Sequence, residues 1–279
     1  MLCVLLGLVL SLGGCAWFDA KQRQLVLRPT PGSAPAGFAG LRAGDQAFAV
    51  AVPGATPGTF DSLQMWWLPH ADPSAPTLLY LHGTFRNLYQ NVPKIDALRD
   101  AGFAVLAVDY RGWGDSTPII PSEATIYADA DVAWAELQRR ESDPNRRVIY
   151  GHSMGGGVAV ELASRLRHRI DYGALILEST FTRGADVAFA TNWLLGVISR
   201  FSSQKFDSLA KIGRVDAPVL MLHGDADRTV PVALGRKLRD AAPAGTRWVE
   251  FAGGSHSRLQ SDAPAEYRQA LKLLIDQLG

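Results

Sequence analysis

Cysteine is almost missing: the 279 residues contain two, Cys3 and Cys15. Past residue 15 there is no thiol, so the body of the chain holds no disulfide. That is permitted outside the cytosol but does not argue for export. Charge of one sign is missing too. The formal net charge is +1 and the pI about 7.8, which gives no basis for a nucleic-acid partner. No His, Cys or carboxylate cluster has metal-ligand spacing, and nothing implies a cofactor. There is no internal repeat and no low-complexity block. The apolar run in "MLCVLLGLVLSLGGCAWF" is far too short to span a bilayer.

That run fits the apolar core of a signal peptide, with small residues before a cleavage point. "LGGC" resembles a bacterial lipobox, in which Cys15 is lipidated after removal of residues 1–14. The reading places the chain in the bacterial cell envelope as a membrane-anchored lipoprotein. Against it stands another absence: no Lys or Arg precedes Lys21. A non-cleaved anchor, an ordinary cysteine, and a soluble cytoplasmic or periplasmic chain are the alternatives. Residues 15–40, with "TPGSAPAG" at 30–37, read as a tether.

The rest, residues 41–279, is long enough for one large core. Strand-like runs end near Val52, Leu68, Leu81, Val108, Tyr150, Leu177, Leu222 and Phe251. Helical patterns fall near 88–101, 123–140, 154–167, 232–242 and 262–278. The alternation predicts an α/β fold with a mostly parallel eight-stranded sheet covered on both faces. The first two strands are expected to pair antiparallel. Trp66 and Trp67 are adjacent in a strand and therefore face opposite ways.

"VIYGHSMGGG", residues 148–157, spends four glycines around one serine. An apolar strand precedes Ser153 and a helical pattern follows it. The frame Gly151-x-Ser153-x-Gly155 in strand–turn–helix context is that of a nucleophile elbow. No lysine follows the glycines, so a phosphate loop is disfavoured.

A serine hydroxyl needs a base. In this motif class the order is serine, acid, histidine. Behind Ser153 lie only His168, His223 and His256. His168 sits at a polar helix end and His223 ends an apolar run. His256, in the glycine-rich loop "FAGGSHSRL", is the expected base. For the acid, "LHGDADRTVP" offers Asp225 and Asp227, and the spacing favours Asp227. Asp225 reads as a turn former. Glu178, ending "ALILE", is a third option. The oxyanion donors are expected to be the Met154 N–H and the Thr84 N–H, with Phe85 as second choice. His82 reads as a structural residue. In "VDYRGWGDS", Asp109 and Arg111 read as stabilising a strand-end loop.

With "LLYLHGTFRN", "VDYRGWGDS", "RRVIYGHSMGGG", "LILESTFT", "APVLMLHGDADRTVP" and "GGSHS" in this order, the sequence resembles an α/β-hydrolase. The resemblance is closest to the serine-aminopeptidase-like branch and covers residues 60–279. It implies Ser153, Asp227 and His256 as nucleophile, acid and base. Thr84 stands where many relatives carry asparagine.

Residues 180–215 exceed an ordinary crossover and are expected to form a small cap over Ser153. Its Phe181, Phe189, Trp193, Leu194, Leu195 and Phe201 could line an acyl pocket or pack the cap onto the core. The cap's carboxylates, Asp186 and Asp207, are few for holding a substrate ammonium. Esters or thioesters are therefore expected over peptides. A serine peptidase, and a non-catalytic envelope-binding protein on the same scaffold, are the alternatives.

Overall fold

The computed structural model describes residue 17, residues 19–199 and residues 202–278. Cys15 and residues 1–14, read above as a leader, lie outside the described residues. Eight strands form one sheet: β1 (Gln46–Pro53), β2 (Phe60–Leu68), β3 (Thr77–Leu81), β4 (Ala104–Asp109), β5 (Arg147–His152), β6 (Ala174–Glu178), β7 (Val219–Gly224) and β8 (Arg247–Phe251). Their order is β1-β2-β4-β3-β5-β6-β7-β8. The β1–β2 pair is antiparallel, as expected, and so is β2–β4. The β3–β4 pair and all pairs from β3 through β8 are parallel.

Strands β3 to β7 are buried at every residue. A parallel strand covered by helices on both faces must be apolar on both, which is why these segments read as continuous apolar runs. Two hydrophobic clusters result, one on each face. Trp66 packs into one of them beside Phe38 and Tyr89. Trp67 turns to the other face, under the Arg140 guanidinium.

The helices are α1 (Leu88–Ala101), α2 (Glu123–Arg140), α3 (Met154–Ala163), α4 (Gly184–Thr191), α5 (Trp193–Ser199), α6 (Val232–Asp240), α7 (Leu259–Asp262) and α8 (Pro264–Leu278). The start of α2 is a capping box. The Ser122 hydroxyl accepts the Thr125 N–H at 3.1 Å, and the Thr125 hydroxyl accepts the Ser122 N–H at 2.8 Å. The expected 154–167 helix stops at Ala163, because Arg165 and Leu166 donate to carbonyls three residues back and tighten the last turn. The last helical stretch is split at Pro264, which begins α8. Among the described residues, no helix is long and apolar enough to cross a membrane.

The segment read as a tether is packed in part against the body. Residues 19–27 are helical and Leu27 is buried. Gly32 donates to the Gly114 carbonyl and Gly114 to that of Thr30. Of "QLVL", Leu27 is buried against the body while Leu25 and Val26 stay exposed.

Candidate active site

The order of the parallel strands reverses on either side of β3, with β4 to one side and β5 to the other. Ligand sites in open α/β sheets lie beyond the strand ends at such a point. Here the loops after β3, β5, β7 and β8 carry Thr84, Ser153, Asp227 and His256.

Ser153 sits between β5 and α3 with φ +57° and ψ −119°, a conformation L-residues avoid. Its N–H is held by the Glu178 carbonyl at 2.9 Å. The neighbouring glycines follow from close approach. A Cβ on Gly151 would come within 2.3 Å of the Gly155 carbonyl oxygen, and one on Gly155 within 2.0 Å of that of Leu81. The turn closes only if both lack side chains, and it lifts the Ser153 hydroxyl clear at the positive end of α3.

That hydroxyl lies 3.0 Å from His256 Nε2. On the other side of the ring, Nδ1 donates to Asp227 Oδ2 at 2.7 Å. With Nδ1 as donor, Nε2 presents its lone pair to Ser153. Asp227 Oδ1 accepts the N–H groups of Thr229 and Val230, each at 2.8 Å. Burial opposes ionisation of Asp227, but donors from His223, His256 and the Val230 amide outweigh it and hold its pKa well below the ordinary carboxylate range.

The other candidates fall elsewhere. Asp225 accepts the Gly253 N–H at 2.6 Å, so it braces the next loop rather than its own turn. The pairing of β7 with β8 brings Gly253 within its reach. Glu178 points away from His256 into a buried cluster. It pairs with Lys94 and accepts the hydroxyls of Tyr150 at 2.6 Å and Tyr267 at 2.8 Å. His168 lies in a turn beyond α3, bridged to Tyr172. His82 is fully buried, with Nε2 3.3 Å from Asp109. Arg111 reaches Asp129 at 2.8 Å and Asp61 at 2.9 Å, tying the strand-end loop down.

Two histidines have roles that the sequence did not disclose. His223 is buried behind Asp227, donating from Nε2 to the Val230 carbonyl at 2.9 Å, with Asp227 Oδ2 at 3.4 Å. His152 donates from Nε2 to the His256 carbonyl at 2.9 Å. Burial, with the nearby Lys94 and His256 charges, pushes the His152 pKa down to about 3, so its ring is neutral near pH 7. The glycine-rich loop that carries His256 is thus tied to the serine's own strand. The one hint was position: His152 ends β5 next to Ser153, and His223 lies one residue from the end of β7, four before Asp227.

An apolar cavity of about 420 Å³ opens at Ser153. Thr84, Phe85 and Met154 line its floor, and Val187, Ala188 and Phe206 wall it from the segment between β6 and β7. Leu25, Val26 and Leu27 of the N-terminal helical stretch complete it. Of the aromatics expected there, Phe181 lines the cavity, Trp193 is exposed, and Phe189 packs against Gly196. The side chains of Leu194 and Leu195, and Phe201, lie outside the described residues. Among the described residues, no group of three or more His, Cys, Asp or Glu is placed to hold a metal ion.

A strained serine on a strand–helix turn, beneath an eight-stranded mostly parallel sheet's carboxyl edge, defines a class. The chain belongs to the α/β-hydrolase superfamily and is a hydrolase with lipase- and esterase-like relatives. The model of the family "Serine aminopeptidase, S33" matches residues 72–210. An uncharacterized protein of Mycobacterium tuberculosis is 33% identical over 243 residues, covering 85% of this chain and 81% of that protein. The lysophosphatidylserine lipase ABHD12 of Rattus norvegicus is 35% identical over 205 residues, covering 67% of this chain. The chain spans only 50% of that lipase's length. Among solved structures, an esterase of Pyrococcus furiosus superposes with TM-score 0.64 at 19% identity, covering 84% of this chain and 91% of the esterase. A monoacylglycerol lipase of Paleococcus ferrophilus gives TM-score 0.58 at 18% identity, covering 77% and 98%.

Proposed function

We propose that this protein hydrolyses carboxylic esters or thioesters through an acyl-enzyme on Ser153. The observation that carries the reading is the unbroken hydrogen-bonded chain Ser153–His256–Asp227 opening onto an apolar cavity. His256 Nε2 takes the hydroxyl proton as Ser153 Oγ bonds to the substrate carbonyl carbon. Ionised Asp227 keeps Nδ1 protonated and supports the imidazolium. The Met154 and Thr84 N–H groups are the donors for the oxyanion; both residues line the cavity beside Ser153. His256 then gives its proton to the departing alcohol or thiol oxygen or sulfur. Water, deprotonated by the same nitrogen, attacks the acyl carbon and frees Ser153.

The resemblance to a lysophosphatidylserine lipase supports acyl esters of lipid-like alcohols. Peptide hydrolysis at a free amino terminus is disfavoured by charge. Asp207 pairs with Arg183 at 3.0 Å, and neither Asp186 nor Asp207 lines the cavity at Ser153, so no carboxylate there is placed to hold an ammonium. The purified protein is expected to cleave short p-nitrophenyl esters and to take a fluorophosphonate label. Ser153→Ala should remove the label and lower kcat by several orders of magnitude. Equal turnover in the two proteins would sink the mechanism.

A further inference from the structure

Two cavities meet at the nucleophile. Beside the large apolar one lies a smaller cavity of about 160 Å³ that contains His256, His152 and Arg86. Thr84, Phe85, Ser153 and Thr229 line both. His256 must hand its proton to the departing oxygen, so the alcohol half of an ester lies on the His256 side. The acyl chain then occupies the apolar cavity, and the small one takes the alcohol.

The charge at this junction has one sign. Arg86 lines the small cavity, and Arg28 and Arg228 line the large one. Arg86 directly follows Phe85 on the loop after β3, and Arg228 directly precedes Thr229 on the loop after β7. Both loops therefore bring an arginine to the junction of the two cavities. The Arg28 guanidinium lies 4.6 Å from the Phe85 ring centroid, stacked at that entrance. No Asp or Glu is among the residues lining either cavity. Away from the site, Arg42, Arg99, Arg111, Arg165 and Arg236 are paired with carboxylates, while arginines such as Arg214 and Arg247 are not; what sets the mouth apart is that its arginines gather where no carboxylate lines the cavities. Arg86 and Arg228 pair with no described carboxylate.

We infer that the alcohol half of the substrate carries an anion, phosphate or carboxylate, held at this mouth by Arg86 and Arg228, with Arg28 as a third cation. The inference rests on the ester-hydrolase reading and adds the substrate's charge to it. Guanidinium forks suit either group, because each presents paired oxygens. All three arginines are exposed, so the anion sits at the rim, where salt screens it.

The test uses the full chain and three octanoyl esters below their micelle concentrations: octanoylglycerol, octanoylglycerol phosphate and octanoyl glycolate. The anionic esters should show kcat/KM at least about tenfold above the neutral one, carried by KM and shrinking as salt rises. A gain for the phosphate alone, or the carboxylate alone, identifies which anion is read. In the double variant Arg86→Gln/Arg228→Gln the ratio should fall towards one, whereas Arg214→Gln, away from both cavities, should keep it. A ratio near one in the wild type, or one indifferent to the double substitution, overturns the inference while leaving the hydrolase reading intact. If no ester is cleaved, the hydrolase reading fails instead, and the anion site is then decided by calorimetry on Ser153→Ala. Octanoylglycerol phosphate should bind that protein more tightly than octanoylglycerol, and equal binding overturns the inference.

Discussion

Asp227 is ionised because four donors converge on it, and only one of them is the base. Its folded pKa lies below the unfolded one, so its contribution to stability is full above the ordinary carboxylate range. That contribution is lost only as pH falls through the depressed value. Removing its charge leaves the Nδ1 donor unmatched and favours the wrong imidazole tautomer. Asp227→Asn should therefore lower kcat by several hundred-fold or more. Asp225→Asn, which touches only the Gly253 amide, should cost far less. The reverse ranking of the two kcat values would show that the acid was misassigned. His152 makes a separate prediction. Folded, it resists protonation down to about pH 3, whereas the unfolded chain takes up that proton near the ordinary value of 6.5. Its burial thus costs stability as pH falls through that window, by about 1.4 kcal/mol per pH unit. Urea unfolding at pH 7 and pH 4.5 should show a smaller acid loss for His152→Gln than for the wild type. The meeting of Ser153 and His256 was legible from motif and chain order. His152 and His223 were not, because each acts on a carbonyl or carboxylate that only folding brings near.

At the scale of elements, continuous apolar runs disclosed β3 to β7, since strands buried on both faces have no polar alternation to hide them, while β1, β2 and β8 are only partly buried. The antiparallel β2–β4 pairing was not legible, because pairing partners depend on the whole sheet rather than on either strand. The N-terminal helical stretch was missed for a related reason. Leu25, Val26 and Leu27 fit no helical stripe of their own and gain meaning only against the cavity they wall. A chain beginning at residue 29 should lose that wall. Its kcat/KM for decanoyl esters should fall several-fold relative to acetyl esters, with a stability loss of about 1.5–3 kcal/mol from Leu27 alone. An unchanged chain-length profile would show that these residues do not contact the acyl chain.

At the scale of the molecule, the envelope address rests on residues 1–15 alone. We propose that Cys15 carries lipid, which would hold the cavity mouth near a membrane; two or more chains anchor stably. Cells expressing the full chain with labelled palmitate should label the wild type and not Cys15→Ser. Equal labelling, or none, would refute lipidation at that residue. The sequence by itself determined the fold class, the strand–helix alternation, the elbow and the serine–acid–histidine order. These are local patterns, set by backbone geometry and apolar periodicity. Only the tertiary structure decided that Glu178 belongs to Lys94, that His152 and His223 lie against the His256 carbonyl and Asp227, and that the N-terminal stretch lines the cavity at Ser153. The Glu178, His152 and N-terminal contacts join residues dozens apart, whereas His223 and Asp227 are only four apart at the end of β7; in each case the energy exists only when burial removes water from both partners at once.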